Sequence, residues 1–254
     1  MVIYRAASRT RPTTGVAQAV RLRRRSEPST SRGDDNGRQG ASCQHRQMAL
    51  SCLTCGGYGP EQPREDELAC PACGHPSGVP RRPVLVVTGA AGSGKSTICA
   101  GLAGQKGILA LDGDVLASGA WAVAEGHRDY EAFWKYLLDV AREVHHNDLV
   151  PVYCCICLPE QVLDGADLTR FAAVHFLALV CDAADLEDRI LSRHGGQASA
   201  ANLDFHLDFN SRLRHASVTA PNSMRLLTTS GMSVAETVKE ASSWAATSLG
   251  TLEL

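Results

Sequence analysis

The sequence predicts an α/β protein, in which a parallel β-sheet is covered by helices on both faces, preceded by a small cysteine module. Three observations carry this. From residue 83 onward, apolar runs of strand length alternate with segments of helical period. The first run opens directly into the glycine-rich stretch Gly89 to Thr97, and two Cys-x-x-Cys pairs stand upstream of it. A strand buried on both faces of a parallel sheet reads as an unbroken apolar run rather than as an alternation.

In chain order, residues 1–47 are rich in Arg, Ser, Thr, Gly and Gln without a sustained apolar period. Such a composition buries too little surface to offset its ordering entropy, so disorder is expected. Ten arginines stand there against Glu27, Asp34 and Asp35, a net +7, which leaves −9 on the remainder for a total of −2. Three accounts compete: a basic nucleic-acid arm, with Arg21 to Arg25 as its patch, an Arg-rich transit peptide, or translated sequence upstream of a true start at Met48. The last is preferred, because Met48 stands just before the first organised motif. Residues 48–77 hold the cysteine module, and Pro76 to Pro83 reads as a short linker. Residues 83–250 form the main domain.

Within that domain, Pro83 to Thr88 is the first buried strand, and a helix from about Ser96 to Gln105 follows. A second strand is expected at Gly107 to Leu111. Next comes a helix near Tyr130 to His145, where Phe133, Trp134, Leu137, Leu138, Ala141 and Val144 recur at helical spacing. Leu149 to Leu158 and Val174 to Cys181 are further strands, and Met224 to Thr228 is a short last one. Asp182 or Asp185 is a candidate cap for the helix carrying Leu186, Ile190 and Leu191. Ser233-Val-Ala-Glu236 is a capping box opening the final helix.

Composition excludes several classes. Hydrophobic content of 44% with 20% charged residues is that of a globular protein. No run of about 18 apolar residues exists to span a bilayer. The acidic body argues against broad nucleic-acid binding, which needs a basic face to displace counterions. Ten cysteines in a chain of 254 residues, with no apolar signal core near Met1, point to a reducing cytoplasm rather than a disulfide scaffold. Oligomeric state leaves no trace in the sequence.

The stretch Gly89-Ala90-Ala91-Gly92-Ser93-Gly94-Lys95-Ser96-Thr97 satisfies G-x-x-x-x-G-K-[ST] between an apolar strand and a helix. Its glycines let successive backbone N–H groups point at phosphates, and the helix N-terminus adds partial positive charge. ATP is the expected ligand, with Lys95 reaching its β- and γ-phosphates and the Ser96 hydroxyl on Mg²⁺. Asp112 and Asp114 lie at the carboxyl end of the second strand, where open α/β sheets place their ligands; turn formation is the plainer account of Asp-Gly-Asp. Arg189 and Arg193 are four apart and share a helix face toward one phosphate cluster, against the alternative of a solvated Asp185 to Arg189 pair. Arg212 and Arg214 are weaker candidates of the same kind. The strand Val150-Pro-Val-Tyr-Cys-Cys-Ile-Cys-Leu158 lacks a terminal Asp, which argues against a force-generating ATPase. Cys155 and Cys157 are read as packing residues.

Cys52-Leu-Thr-Cys55 and Cys70-Pro-Ala-Cys73 are separated by fourteen intervening residues, with glycines just after each pair. This spacing resembles a zinc ribbon, in which two knuckles point four thiolates at one structural Zn²⁺. His75 is a spare ligand at most.

The loop GAAGSGKST, LDGDVL after the second strand and LEDRILSR after the fourth together resemble the P-loop small-molecule kinases. That group includes nucleoside monophosphate kinases, gluconate kinase, adenylylsulfate kinase and chloramphenicol phosphotransferase. The resemblance covers about residues 83–247. It implies a three-layer P-loop NTPase fold with a five-stranded parallel sheet of order 2-3-1-4-5. It also implies a mobile lid, and transfer of the ATP γ-phosphoryl group to a small hydroxyl or phosphate acceptor of nucleoside or nucleotide kind. By the same resemblance Asp114 is the candidate base with Asp112 in support, and Arg189 and Arg193 are lid arginines. The alternative is a nucleotide-binding regulatory protein with slow ATPase activity, whose ribbon binds a protein or nucleic acid.

Overall fold

Fifteen regular elements follow one another in the computed structural model, which describes residues 51–59, 61–64, 67–123, 129–164, 166–193 and 200–250. The chain divides into two units, Met1–Arg46 and Gln47–Leu254, and every described residue belongs to the second. The expected disorder of residues 1–47 and the proposed start at Met48 lie outside the described residues.

Three short strands come first: β1 (Gln62–Arg64), β2 (Glu67–Ala69) and β3 (Pro76–Pro80). They form an antiparallel sheet in the order β1-β2-β3. The stretch expected to be a linker is therefore in part a strand. Its prolines disguise it, because Pro lacks an amide and is tolerated where a strand has a neighbour on one side only, as β3 does.

The main sheet contains β4 (Val84–Gly89), β5 (Ile108–Asp112), β6 (Val150–Cys155), β7 (Val174–Val180) and β8 (Ser223–Thr228), ordered β5-β6-β4-β7-β8 with every pairing parallel. Counted within this sheet, the order is the expected 2-3-1-4-5. The alternate residues of β4 separate two layers of core. Val84 and Val86 pack with Phe133, Trp134, Leu137 and Leu138 of α3 (Tyr130–His146), and Leu85 and Val87 pack with Ile98 and Leu102 of α1 (Lys95–Leu102) and Trp244 of α7 (Val234–Leu249). Each fully buried Leu or Phe contributes about 1.5–3 kcal/mol, which is why the central strand is apolar on both sides.

The caps agree with the residues that make them. Asp129 accepts the Ala132 N–H at the start of α3, and Ser233 and Glu236 close a reciprocal box at the start of α7. Pro159 ends the strand reading and opens the short α4 (Pro159–Leu163), so β6 stops at Cys155 rather than Leu158. Two helices have no counterpart in the sequence expectations: α2 (Gly113–Val123) and α6 (Ala200–His215). α6 packs Leu203, Leu207, Phe209 and Leu213 beside α5 (Ala183–Arg193), but His206 and Asn210, both buried, interrupt its apolar stripe.

Candidate active site and metal centre

All five strands of the main sheet run parallel, so β4, β5, β6 and β7 end on one edge, and the loop Gly89 to Thr97 leaves that edge from the central strand. Gly89 is there because nothing larger fits: a Cβ would lie 2.4 Å from Ser93 Oγ and 2.8 Å from the Leu179 carbonyl. Gly92 and Gly94 hold φ of 81° and 108°, a left-handed region that other residues enter only with strain. The Ser93 N–H donates to the Ala90 carbonyl at 3.2 Å, closing a turn over Ala91 and Gly92.

Gly94 caps α1 without a side chain, and the helix has no acidic residue in its first turn. Its first backbone bond runs from the Ile98 N–H to the Gly94 carbonyl, so the amides of Lys95, Ser96 and Thr97 lie ahead of the ladder. That is the composition of an anion cradle. Lys95 is 9% exposed and its Nζ donates to the Gly89 and Ala90 carbonyls, both at 2.9 Å. Burial lowers its pKa, while the nearby Asp114 charge opposes that shift and the Arg193 charge adds to it. Ser96 is exposed and Thr97 half-buried.

Asp112 ends β5, and its Oδ1 accepts the Asp114 N–H at 2.9 Å, so this carboxylate caps α2. Asp114 sits exposed in the first turn of that helix. Gly113 between them lets α2 start flat against β6, since a Cβ would lie 2.4 Å from the Cys155 Cβ. The buried Thr88 hydroxyl donates to the Cys157 carbonyl at 2.6 Å and accepts the Cys157 N–H at 3.2 Å, which ties down the chain leaving β6. Cys155 and Cys157 are buried with sulfurs 3.8 Å apart, and their mutual hydrogen bond and burial keep Cys155 protonated.

The two arginines of α5 have different surroundings. Arg189 donates to the Thr229 hydroxyl at 3.1 Å, the Thr229 carbonyl at 2.9 Å and the Cys181 sulfur at 3.4 Å, bracing the ends of β7 and β8. Arg193 is exposed, and its charge reaches Lys95. Arg212 pairs with Glu160 at 3.6 Å, and Arg214 donates to the Cys181 carbonyl at 2.7 Å. Sequence reasoning missed His206 and Asn210 on α6. Asn210 accepts the Cys181 N–H and donates to its carbonyl, and the Ala91 N–H donates to His206 Nδ1 at 3.4 Å. No motif marks either residue, because their partners are backbone groups far away in sequence.

A G-x-x-x-x-G-K-[ST] loop leaving the central strand of a parallel sheet ordered 2-3-1-4-5, with helices on both faces, decides the architecture. The chain has the P-loop NTPase fold. No family model matches it, and no curated protein matches its sequence. Among solved structures it is similar to a sugar kinase from Janibacter sp., with 19% identity and a TM-score of 0.46 over 65% of this chain and 95% of that one. It is similar to a gluconokinase from Sinorhizobium meliloti, with 21% identity and a TM-score of 0.43 over 68% and 97%. A third similarity is to the tunicamycin resistance protein of Deinococcus radiodurans, with 15% identity and a TM-score of 0.49 over 65% and 96%. No helix among the described residues of this P-loop protein is long and apolar enough to cross a membrane.

The cysteine module is a second centre. Both knuckles are built alike: Gly56 N–H donates to the Cys52 carbonyl and Gly74 N–H to the Cys70 carbonyl, with φ of 68° at each glycine. The Gly57 N–H reaches Cys55 Sγ at 3.3 Å and the Ala72 N–H reaches Cys70 Sγ at 3.4 Å. The four sulfurs lie within 4.8 Å of one another, with Cys52 to Cys73 at 3.8 Å and Cys55 to Cys70 at 3.7 Å. Four thiolates at about 2.3 Å from a tetrahedral Zn²⁺ stand about 3.8 Å apart, so the set fits that ion. Backbone amides of Cys55 and Thr54 pull Cys52 down to about 6, whereas Cys73 is pushed up to about 12 by the neighbouring sulfurs and burial, against the amide of His75. His75 stays outside the cluster.

The ribbon is fastened to the P-loop domain on the side of α3. Glu61 pairs with Arg142 and lies 3.4 Å from His146 Nε2, and Arg81 donates to the Phe171 carbonyl at 2.7 Å. A cavity of about 450 Å³ bounded by Cys52, Leu53, Glu61, His75 and His146 opens here, and no phosphate-loop residue lines it.

Proposed function

We propose that this protein is an ATP-dependent phosphotransferase that moves the γ-phosphoryl group to a small hydroxyl or phosphate acceptor of nucleoside or nucleotide kind. The observation that carries the reading is the loop itself, in which Gly94 opens α1 with no side-chain cap and the buried Lys95 lies across the Gly89 and Ala90 carbonyls, within the field of the Asp114 and Arg193 charges.

In this reading the amides of Gly92 to Thr97 hold the β- and γ-phosphates, and Lys95 leaves the Gly89 and Ala90 carbonyls to meet them. Mg²⁺, when bound through the Ser96 hydroxyl, would neutralise charge between those phosphates. Asp114 orients the acceptor hydroxyl and takes its proton. Arg193 offsets the charge that develops on the transferred group, in the way phosphoryl transfer generally requires. Asp112 acts through Asp114 by fixing the start of α2. Arg189, held on Thr229, stabilises the wall of the site instead of approaching Lys95. The four cysteines would hold one structural Zn²⁺, with no part in the transfer.

ADP release measured over a panel of nucleosides, nucleotides and sugars tests this reading. Acceptor-dependent turnover that is lost in Lys95→Ala is the expected result. Turnover indifferent to every acceptor would favour the second reading, a nucleotide-dependent regulatory protein. The observation on its side is the exposure of Leu53 and Tyr58 on the ribbon, at 102% and 76%.

A further inference from the structure

Both helices that follow β7 rest on the outside of the phosphate loop. A Cβ on Gly92 would lie 3.3 Å from the Arg189 Cβ and 3.5 Å from Ile190 Cγ1, so α5 abuts the loop there. One residue earlier, the Ala91 N–H donates to Nδ1 of His206 from α6, at 3.4 Å. His206 is 1% exposed, and its ring stands edge-on to Phe205 with centroids 5.1 Å apart. An imidazole accepts an amide proton at Nδ1 only in the tautomer that carries its own proton on Nε2.

The direction of the Ala91 amide gives this contact its meaning. Ala91 is the second residue of the turn that the Ser93 N–H closes on the Ala90 carbonyl. The Ala91 N–H is committed to the His206 ring, so it is a point of attachment for the turn and not one of the amides left for an anion. Ala91 precedes Gly92 and Gly94, the two left-handed glycines of the loop. Glycine gives backbone freedom, so a loop this rich in it needs an external hold to keep its inner amides convergent before ligand arrives.

We infer that His206 is a positioning residue that preorganises the phosphate loop by anchoring its outer turn to α6. The inference rests on the phosphotransferase reading for its ligand. In this role His206 meets neither phosphate nor acceptor and acts on the loop through the Ala91 amide. Losing the anchor makes the nucleotide order the outer turn itself, so affinity falls by about tenfold, the cost of fixing one backbone residue.

Two substitutions separate a hydrogen-bond anchor from simple packing. In His206→Asn the amide oxygen occupies the Nδ1 position at a loss of volume, whereas His206→Gln keeps the volume and puts its oxygen at the Nε2 position. Amide exchange at Ala91 in the ligand-free protein and the Kd of a non-hydrolysable Mg·ATP analogue are measured for both. The expected result is fast Ala91 exchange and about tenfold weaker binding in Gln, with both recovered toward wild type in Asn. In turnover, Gln raises the KM for ATP while kcat stays close to wild type. If the wild type binds the analogue but Asn and Gln behave alike, or Gln is the milder change, only this inference falls. If the wild type binds neither Mg·ATP nor Mg·GTP, the phosphotransferase reading falls and takes the inference with it.

Discussion

Replacing Glu61 by Gln removes the charge that fastens the ribbon to α3. The Arg142 side chain is 5% exposed and that of Glu61 14%, so solvent screens the pair little. Burial alone would raise the Glu61 pKa, but hydrogen bonds from His146 and Arg142 and the Arg142 charge hold it down from 4.5 to about 2. At about 1.4 kcal/mol per pKa step, that difference amounts to about 3 kcal/mol of stability at neutral pH. Removing one partner of a buried pair and stranding the other costs about 3–5 kcal/mol, so two independent arguments agree. For a domain of this size the loss lowers Tm by about 6–12 °C. The sign with pH follows from the depressed carboxyl. Between about 4.5 and about 2 the unfolded Glu61 is protonated while the folded one is not, so the wild-type advantage is complete above that window and vanishes as pH falls through it. Denaturant unfolding of wild type and Glu61→Gln at several pH values checks both points. A difference under about 1 kcal/mol at pH 7, or one that persists unchanged at the acid end, would refute the reasoning.

Further expectations concern the two centres. Purified protein should carry one zinc per chain, and Cys73→Ser should abolish it, as measured by elemental analysis; a retained full complement would remove the metal from this account. Gly113→Ala forces a Cβ to within 2.4 Å of the Cys155 Cβ, and the overpacking should cost about 1–3 kcal/mol in denaturant unfolding, whereas an unchanged midpoint would mean that α2 moves freely. Asp114→Asn should lower kcat by about 10²- to 10⁴-fold with the Kd of an ATP analogue nearly unaltered, and wild-type turnover would exclude it as the base.

Much of the fold was legible because its signals are local. An apolar run buried on both faces, a glycine loop between strand and helix, Ser233 and Glu236 three residues apart, and two cysteine pairs each state their role within a few residues. The strand order was legible through the kinase resemblance, which those local signals support. Failure came where a residue's partner is distant or its chemistry goes against its type. Pro76 and Pro80 looked like a linker because strand propensity takes no account of a sheet edge, where a missing amide costs nothing. α6 escaped notice because His206 and Asn210 occupy positions where its period calls for apolar groups, and they are buried there by bonding to the backbone at Ala91 and Cys181.

The arginines divide the same way. Helical spacing put Arg189 and Arg193 on one face, but only packing decided that one would brace Thr229 while the other stayed exposed. The chain alone thus determined the five main-sheet strands to within a few residues, which loop can cradle phosphate and which four sulfurs can share a metal, since each follows from backbone freedom, periodicity or spacing. Tertiary structure alone decided that Asp112 caps α2 while Asp114 stays exposed in its first turn, that Glu61 neutralises Arg142, and that α6 reaches the loop at Ala91. Hydrogen bonds and desolvated charges depend on distance in space, and separation along a chain does not encode it.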